Sequence, residues 1–264
     1  MLKHLPQIRF MNDPARFKFL LTGRRGGKTK GMAECMAEDI FTAPDASTVF
    51  YIGPTNQQAM ELIWEEMDER LYSLGWSYRS LISKQRFEFS RRRRLMVIGA
   101  ENLARIRGHR AWSVNGDELA FWKTNLKKAW RAIRPTLTDF RGKARLATTP
   151  DGKGSEAYQF YREIMEQKVD KKTGLVIPND WKYFHWTTLE NPFIDPEEVE
   201  SARNELDEKS FRQEYMAEWE SFEGLAYYCF SENLHIARES IHAIDPTRSV
   251  ALCFDFNVNP TTVL

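Results

Sequence analysis

A chain of 264 residues, 42% of them hydrophobic, is long enough for one large domain or for one domain and a fragment of another. No apolar run reaches the length that spans a bilayer, and the N-terminus has no signal-peptide pattern. The 3 cysteines lie far apart and form no metal-ligand pair, which is typical of free thiols in a reducing compartment: Cys35, Cys229 and Cys253. Composition therefore predicts a soluble intracellular protein and argues against a membrane protein or a disulfide scaffold.

The formal net charge of +1 hides a strong segregation of charge along the chain. Three basic segments each hold 8 Lys or Arg against one or two acids: residues 1–30, 86–110 and 123–145. Residues 195–223 are acidic, with 11 acids against 3 basic residues. Basic clusters attract phosphate, so nucleic acid is one partner to consider. Charge runs are more often solvated faces, and other motifs have to decide between the two interpretations.

The predicted elements begin with a strand, a glycine-rich turn and a helix. The apolar run 17–21 predicts the strand, residues 22–29 read TGRRGGKT, and residues 31–38 suit a helix. A second strand, residues 47–52, is closed by Gly53 and Pro54, and Thr55 is placed to cap a helix that ends near Leu74. Two successive strand–loop–helix units predict a parallel sheet.

The elements that follow are mixed in character. Phe87 and Phe89 alternate with polar residues ahead of four arginines and an apolar run, which predicts an antiparallel hairpin within residues 76–99. Further strands are predicted at 111–116, 144–149 and 183–187, with a helix at 153–167 and acidic helices at 196–220. The last predicted strand covers residues 249–256.

The turn at residues 22–29 has the composition of a phosphate-binding loop. Glycines let backbone N–H groups close around phosphate oxygens, and the following helix directs its positive N-terminal end at the same anion. Lys28 would reach the β- and γ-phosphates of a nucleotide, and Thr29 would place its hydroxyl on Mg²⁺. Because Thr22 stands where the usual pattern has its first glycine, a plain basic turn is the alternative.

Asp117 and Glu118 follow the strand predicted at 111–116. A nucleotide site needs a carboxylate near Mg²⁺ and usually a second one that orients and deprotonates water. We therefore expect Asp117 to complete the metal shell with Thr29, and Glu118 to be the catalytic base. An isolated Asp-Glu pair is more often a surface turn, but a position at a strand end after a phosphate loop favours catalysis.

Arginines and threonines complete the candidate site. An arginine from the same or a neighbouring subunit lowers the barrier to phosphoryl transfer. Arg24 and Arg25 lie in the turn, and three more arginines precede the Asp-Glu strand, with contacts to solvent or nucleic-acid phosphate as the alternative: Arg105, Arg107 and Arg110. Thr148 and Thr149 would face a nucleotide crevice at the carboxyl end of their strand.

In this order the motifs resemble the large subunit of tailed-phage terminases, a DNA-packaging motor, over nearly the whole chain. The phrases that carry the resemblance are PQIRF at 6–10, GRRGGKT at 23–29, GAEN at 99–102, the Asp-Glu pair, TTP at 148–150, ENPFIDP at 190–196 and FRQEY at 211–215. The family's loop often lacks the first glycine. The resemblance implies an α/β fold of the P-loop NTPase (ASCE) type, with a mostly parallel central sheet flanked by helices and a small helical subdomain.

The resemblance also implies roles for individual residues. Gln7 would recognise adenine, Arg24 would sense the γ-phosphate, and Arg107 would act on the ATP of a neighbouring subunit. Thr148 and Thr149 would couple hydrolysis to movement. The remaining nucleotide contacts would come from the loop residues Gly23, Arg24, Arg25, Gly26, Gly27, Lys28 and Thr29.

Members of that family carry an RNase H-like nuclease domain after the ATPase. Residues 254–260, FDFNVNP, resemble its first strand, with Asp255 as the metal ligand. A two-metal nuclease needs several carboxylates from different strands. We therefore expect an ATPase domain over 1–220, its helical subdomain near 195–220, a linker over 221–248, and a nuclease stub over 249–264 without nuclease activity.

Residues and resemblance together predict that ATP hydrolysis with Mg²⁺ drives double-stranded viral DNA into a procapsid. DNA contacts would be to the backbone and independent of sequence. The implied partners are the portal protein and the small terminase subunit, in a homo-oligomeric ring in the host cytoplasm, with a monomer as the alternative in isolation and no membrane. The alternative functions are a helicase-like translocase and a module that binds nucleotide without hydrolysing it.

Overall fold

The computed structural model describes residues 3–166 and 179–221, together with the backbone of two short strands further on. The chain divides into two compact units, Met1–Glu223 and Gly224–Leu264. The helices of the first unit are α1 (Leu5–Asn12), α2 (Lys28–Thr42), α3 (Asn56–Ser73), α4 (Leu126–Thr136), α5 (Glu156–Met165), α6 (Pro196–Glu205) and α7 (Glu208–Glu214). Its strands are β1 (Phe17–Thr22), β2 (Thr48–Gly53), β3 (Tyr78–Leu81), β4 (Arg86–Phe89), β5 (Arg94–Gly99), β6 (Ala111–Gly116), β7 (Lys143–Thr148) and β8 (Trp181–Trp186).

The eight strands form one sheet in the order β3-β4-β5-β2-β6-β7-β1-β8. The six strands from β5 to β8 run parallel, whereas β3 and β4 are antiparallel to their neighbours. The sheet confirms the prediction of a mostly parallel core with an antiparallel hairpin. Parallel strands end at one edge, so the residues that follow β1, β6 and β7 meet there.

Helices cover both faces of the sheet. Successive strand residues point to opposite faces, and along β1 Phe19 packs in the cluster with α4 and α5, whereas Leu20 packs in the cluster with α1, α2 and α3. The near-continuous apolar strands are typical of a sheet buried on both sides. The antiparallel extension joins the α1–α3 side, where the rings of Trp64 and Phe87 stack with centroids 4.2 Å apart.

The structure confirms most predicted elements to within a few residues and adds three. Thr55 caps α3, its hydroxyl accepting the Gln58 N–H at 3.2 Å. Helices α1 and α4 and the edge strand β3 were not predicted. Helix α4 lies in the basic segment 123–145, whose charges conceal the buried stripe Leu126, Ala129 and Ile133.

In the second unit, β9 (Phe254–Asp255) pairs antiparallel with β10 (Thr262–Val263), and Asp255 lies opposite Thr262. Residues 249–253 and 256 of the predicted last strand, and 222–248 of the predicted linker, lie outside the described residues. None of the helices in the described part of the chain is long and apolar enough to cross a membrane.

Candidate active site

The candidate site is built from three neighbouring strands, β6, β7 and β1, at their carboxyl ends. The glycine-rich loop (residues 23–29) leaves β1 and runs into α2, whose N-cap residue Gly27 has a left-handed φ of 81°. Asp117 and Glu118 leave β6, and Thr149 leaves β7. Sheet order therefore brings together residues that are separated by about a hundred positions in the sequence.

Side chains from the loop and from the ends of β6 and β7 interlock at this edge. The Thr29 hydroxyl donates to Asp117 Oδ2 at 2.8 Å. Lys28 Nζ lies 2.5 Å from Glu118 Oε1 and donates to the Thr149 hydroxyl at 3.3 Å. The loop lysine and threonine thus contact the two carboxylates at the distances that a site holding both a phosphate and a metal requires.

Asp117 is fully buried and its position is fixed from several sides. The Tyr51 hydroxyl donates to Oδ2 at 3.0 Å, the Glu118 N–H to Oδ1 at 2.9 Å, and the Trp122 indole to the backbone carbonyl at 2.8 Å. Burial raises the pKa of Asp117, and the nearby Lys28 ammonium opposes that shift. Burial and then the Asp117 charge raise the pKa of Tyr51 well above its usual value, so Tyr51 remains a hydrogen-bond donor.

Glu118 adopts a left-handed backbone conformation, with φ of 53°. Such a conformation is costly for a residue with a side chain, and in native proteins it concentrates at functional sites. Its Oε2 atom is buried and has no hydrogen-bond partner among the described residues. A buried carboxylate oxygen without a partner is suited to accept a bond from a ligand or a water.

Thr148 and Thr149 lie directly under this site and are both buried. The Thr148 hydroxyl accepts the Ala120 N–H at 3.1 Å and donates to the Thr149 carbonyl at 2.8 Å. Since Ala120 belongs to the turn that follows Glu118, the β7 end contacts both Lys28 and the Glu118 turn. That arrangement is the geometry expected of a residue pair that couples the site to the rest of the sheet.

The donor set of this site fits Mg²⁺. Mg²⁺ prefers oxygen ligands and is usually held by one or two carboxylates, a hydroxyl, waters and substrate phosphates. Thr29 Oγ1 and Asp117 Oδ2 provide a hydroxyl and a carboxylate 2.8 Å apart, and Glu118 Oε2 is an orphaned oxygen beside them. These oxygens leave room for phosphate and water as the other ligands.

Arg24 is held away from the loop's inner side by the end of α7. Its guanidinium is more than half exposed and pairs with the Glu214 carboxylate. That hydrogen bond raises the pKa of Arg24. Its backbone N–H also donates to the Glu214 carbonyl at 2.7 Å. To contact a γ-phosphate, as the sequence predicts, Arg24 has to exchange Glu214 for the phosphate.

Gln7 lies against the loop from α1 and is 5% exposed. Its amide donates to the Gly27 carbonyl at 2.7 Å, and its oxygen accepts the His4 N–H at 3.2 Å. The structure therefore gives Gln7 a backbone contact with the loop. Its role in binding adenine stays a prediction.

The three arginines ahead of β6 differ in their contacts. Arg105 donates to Gln85 Oε1 at 2.6 Å, and Arg110 donates to Asp139 Oδ2 at 2.8 Å. Arg107 is exposed and has no side-chain hydrogen bond or ion pair within residues 3–166 and 179–221. It is the one of the three that is free to reach a neighbouring molecule.

Several residues of the site were missed from the sequence. Tyr51, Trp122, Trp186 and Glu214 contact Asp117 or the loop, and each lies in an element that reads simply as an apolar strand or an acidic helix. Only Trp122, five residues after Asp117, stands close enough to a motif to have been suspected. Asp255 lies in the second unit, where the structure describes backbone only.

Comparison with known proteins agrees with this geometry. The family described as "Terminase large subunit, T4likevirus-type, N-terminal" matches residues 19–233. The large terminase subunit of Escherichia phage T5 is 33% identical over 104 residues, which is 39% of this chain and 22% of that protein. The chain thus matches less than a quarter of that relative's length.

Two solved structures have the same fold. The ATPase domain of the Thermus phage P74-26 large terminase matches with a TM-score of 0.65 and 21% identity, over 83% of this chain and 94% of that one. The large terminase of a thermophilic bacteriophage, solved in complex with ADP, matches with a TM-score of 0.68 and 15% identity, over 98% of this chain and 63% of that one. Because the family match covers most of the chain, the chain belongs to the terminase large subunit family, to its T4-like N-terminal part.

Proposed function

We propose that this domain hydrolyses ATP and that hydrolysis powers the packaging of double-stranded viral DNA. The observation that carries the proposal is the contact of Lys28 and Thr29 with Glu118 and Asp117, at 2.5 and 2.8 Å, on the carboxyl edge of a parallel sheet. The large terminase of the thermophilic bacteriophage has been solved with ADP and with ATP-γ-S, which supports a nucleotide at this edge.

The loop and α2 would bind the phosphates. The first turn of α2 offers N–H groups that no intrahelical carbonyl accepts, and the helix dipole favours an anion there. Lys28 would bind the β- and γ-phosphates, giving up its contact with Glu118 as the phosphate oxygens approach. The Thr29 hydroxyl and the Asp117 carboxylate would hold Mg²⁺, which neutralises charge on the phosphate oxygens when bound.

Glu118 would orient the attacking water and accept its proton. Once Lys28 turns to phosphate, both Glu118 oxygens become available, including the already unpartnered Oε2. The Glu118 backbone is held by the Asp117 carboxylate through its N–H, which limits the positions that the side chain can take. Fixing the base in this way reduces the loss of entropy on reaching the transition state.

Arg107 would supply positive charge to the ATP of a neighbouring subunit in a ring, because it is exposed and unengaged in the described part of the chain. Arg24 would contact the γ-phosphate after leaving Glu214, and Thr148 and Thr149 would pass the change on to the sheet. DNA would be bound through its backbone, and portal protein and small terminase subunit would complete the assembly in the host cytoplasm. Asp255 would belong to the nuclease part.

The experiment that tests the proposal compares ATP turnover and nucleotide binding of the protein with those of Glu118→Gln. We expect turnover to fall about 100-fold or more, as for loss of a general base, with ADP affinity within about threefold of the original. Turnover that is unchanged in Glu118→Gln would show that Glu118 is not the base. Absence of turnover in the original protein, in the presence of Mg²⁺ and DNA, would favour the non-hydrolysing module, and strand displacement would favour a helicase.

A further inference from the structure

The outer side of the glycine-rich loop carries a continuous series of side-chain hydrogen bonds. Four consecutive backbone carbonyls, from residues 24 to 27, each accept a side-chain donor from another element. The donors and distances are Thr188 Oγ1 to the Arg24 carbonyl at 2.6 Å, Asn191 Nδ2 to Arg25 at 2.7 Å, Trp186 Nε1 to Gly26 at 2.7 Å, His4 Nε2 to Gly26 at 3.1 Å, and Gln7 Nε2 to Gly27 at 2.7 Å.

These bonds determine where the loop's N–H groups point. In a planar trans peptide the C=O of one residue and the N–H of the next point in opposite directions. Carbonyls held on the outer side therefore turn the following N–H groups, those of residues 25–28, towards the inner side. The Gly26 N–H is used within the turn, donating to the Gly23 carbonyl at 3.1 Å. The others face the side on which Lys28 and Thr29 lie.

Two of the donors act where the loop needs support most. Arg25 has a φ of 58°, a left-handed conformation that residues with a side chain rarely adopt. Asn191 bonds the carbonyl of that residue. Thr188 bonds the carbonyl just before it, and its hydroxyl lies 2.5 Å from the position that a Cβ on Gly23 would occupy. The loop and the 187–191 segment are therefore in direct backbone-level contact.

The same segment is bonded to the end of α7. The Thr188 N–H donates to the Tyr215 carbonyl at 2.8 Å, and the Arg24 N–H donates to the Glu214 carbonyl at 2.7 Å. Thr188 thus joins the loop to the helical subdomain through both its side chain and its backbone. A change in the loop has a short covalent and hydrogen-bonded route to α7 that does not pass through Thr148 and Thr149.

We propose that Thr188 and Asn191 are positioning residues for the nucleotide phosphates. They hold the carbonyls of Arg24 and Arg25 outwards, so that the loop's N–H groups face the phosphate before it binds. By the reciprocity of linked equilibria, phosphate binding then strengthens the contact between the loop and the 187–191 segment. The inference rests on the proposed function in assigning the loop to a nucleotide.

The test uses Thr188→Val, which removes the hydroxyl and nearly keeps the shape, and Thr188→Ser, which restores a hydroxyl. Thr136→Val is the matched control, because the Thr136 hydroxyl also donates to a carbonyl, that of Ile133 at 2.7 Å, in α4. Calorimetric titration with ADP and Mg²⁺ measures affinity, and the thermal midpoint without nucleotide measures stability. We expect Thr188→Val to weaken ADP binding by about tenfold, which corresponds to one lost buried hydrogen bond.

Thr188→Ser should recover affinity to within about threefold of the original, less than half a logarithmic unit, and Thr136→Val should bind ADP like the original protein while losing a similar amount of thermal stability. The proposal is overturned if Thr188→Val binds ADP like the original protein, or if Thr136→Val weakens binding equally. If the original protein binds ADP but does not hydrolyse ATP, the proposed function fails and the binding comparison still decides this inference.

Asn191 provides an independent second measurement. Its Nδ2 bonds the loop, whereas its Oδ1 accepts the Phe193 N–H at 3.2 Å, so its two ends have separate tasks. Asn191→Ala removes both, and Asn125→Ala, which removes the cap of α4, is the control. Asn191→Ala should weaken ADP binding several-fold relative to Asn125→Ala at matched loss of stability. Equal affinities in the two variants would remove Asn191 from the positioning role.

Discussion

Two clusters of charged side chains are built from the same three elements, α2, β6 and β7, and they differ in how completely they are paired. At the carboxyl edge, Lys28 contacts Glu118, and Glu118 Oε2 has no partner in the described residues. Deeper in the sheet, both oxygens of Asp39 accept bonds from Arg145, at 2.5 and 3.2 Å. One cluster retains an open oxygen at the sheet edge, whereas in the other the carboxylate is fully engaged.

The deeper cluster explains the polar residues of β6. Arg145 donates to Asn115 Oδ1 at 3.0 Å, and Asn115 Nδ2 donates to the Phe50 carbonyl at 3.1 Å. Although burial disfavours the charge, the Arg145 guanidinium holds the pKa of Asp39 below its usual range. The Nε of Arg145 has no partner in the described part of the chain. The inner cluster thus holds α2 against the strands, while the outer one is left free to bind a ligand.

The largest expected effect comes from breaking the inner cluster. Arg145→Met leaves the Asp39 carboxylate buried, with only the half-exposed Lys143 ammonium at 3.2 Å as a charged partner. We expect a loss of about 3 kcal/mol in the free energy of unfolding, measured with denaturant. Arg110→Met, which breaks the exposed pair with Asp139, is the control and should cost less than about 1 kcal/mol. Equal losses would show that the inner pair has no special weight.

The outer cluster is broken by Lys28→Met. Here we expect little change in unfolding but a fall in ATP turnover of roughly 100- to 1,000-fold, since the phosphates lose their main cation. Lys30→Met, at an exposed position two residues on in the same helix, is the control and should keep turnover within about threefold. A variant Lys28→Met that turned over normally would contradict the assignment of the outer cluster to the nucleotide.

Lys18 sharpens the comparison through pH. Burial, and then the Arg145 charge, lower the pKa of Lys18 to about 8. Its ammonium donates to the Phe10 carbonyl at 2.6 Å. Below pH 8 Lys18 is protonated in both the folded and the unfolded state. Between pH 8 and about 10.4 only the unfolded state keeps the proton, so stability rises with pH.

Lys18→Met removes this titration. From pH 7 to pH 10 the original protein should gain about 2 kcal/mol in unfolding free energy relative to Lys18→Met. Denaturant curves of both proteins at several pH values measure the difference, in which the titration of other groups cancels. A difference that stays constant with pH would mean that Lys18 has an ordinary pKa in the fold.

The smallest effect is expected when the inner pair is replaced as a whole. In Asp39→Leu combined with Arg145→Met, no unpaired charge is left at the centre of the cluster, and apolar replacements of buried pairs are often close to neutral. The double variant should lie within about 1 kcal/mol of the original protein. If it is as unstable as Arg145→Met alone, the pair itself contributes the stability.

Much of the fold follows from local sequence signals. Thr55 and the apolar spacing after it located α3, and the alternation of Phe87 and Phe89 located the hairpin. The sequence also placed Asp117 and Glu118 directly after a strand, as the structure has them. Helix α4 was missed because its buried stripe is only three residues wide in a strongly basic segment, so that charge masks the helical period.

The rest of the site depends on contacts that no local pattern contains. Glu214 pairs with Arg24 across 190 positions, and Trp186 reaches the Gly26 carbonyl across 160. Such contacts are set by strand order and by the return of α7 to the loop. Sequence motifs specify which residues carry the chemistry, and long-range packing decides which partners hold them.

The crowding at Gly23 has a consequence for how motif patterns are written. Thr22 is a fully buried strand residue that tolerates a side chain, whereas a Cβ at position 23 would lie 2.4 Å from the Tyr215 carbonyl. The steric requirement for glycine has thus moved one place along the chain. A search pattern that insists on glycine at position 22 would discard relatives with this architecture, and one that insists on position 23 would retain them.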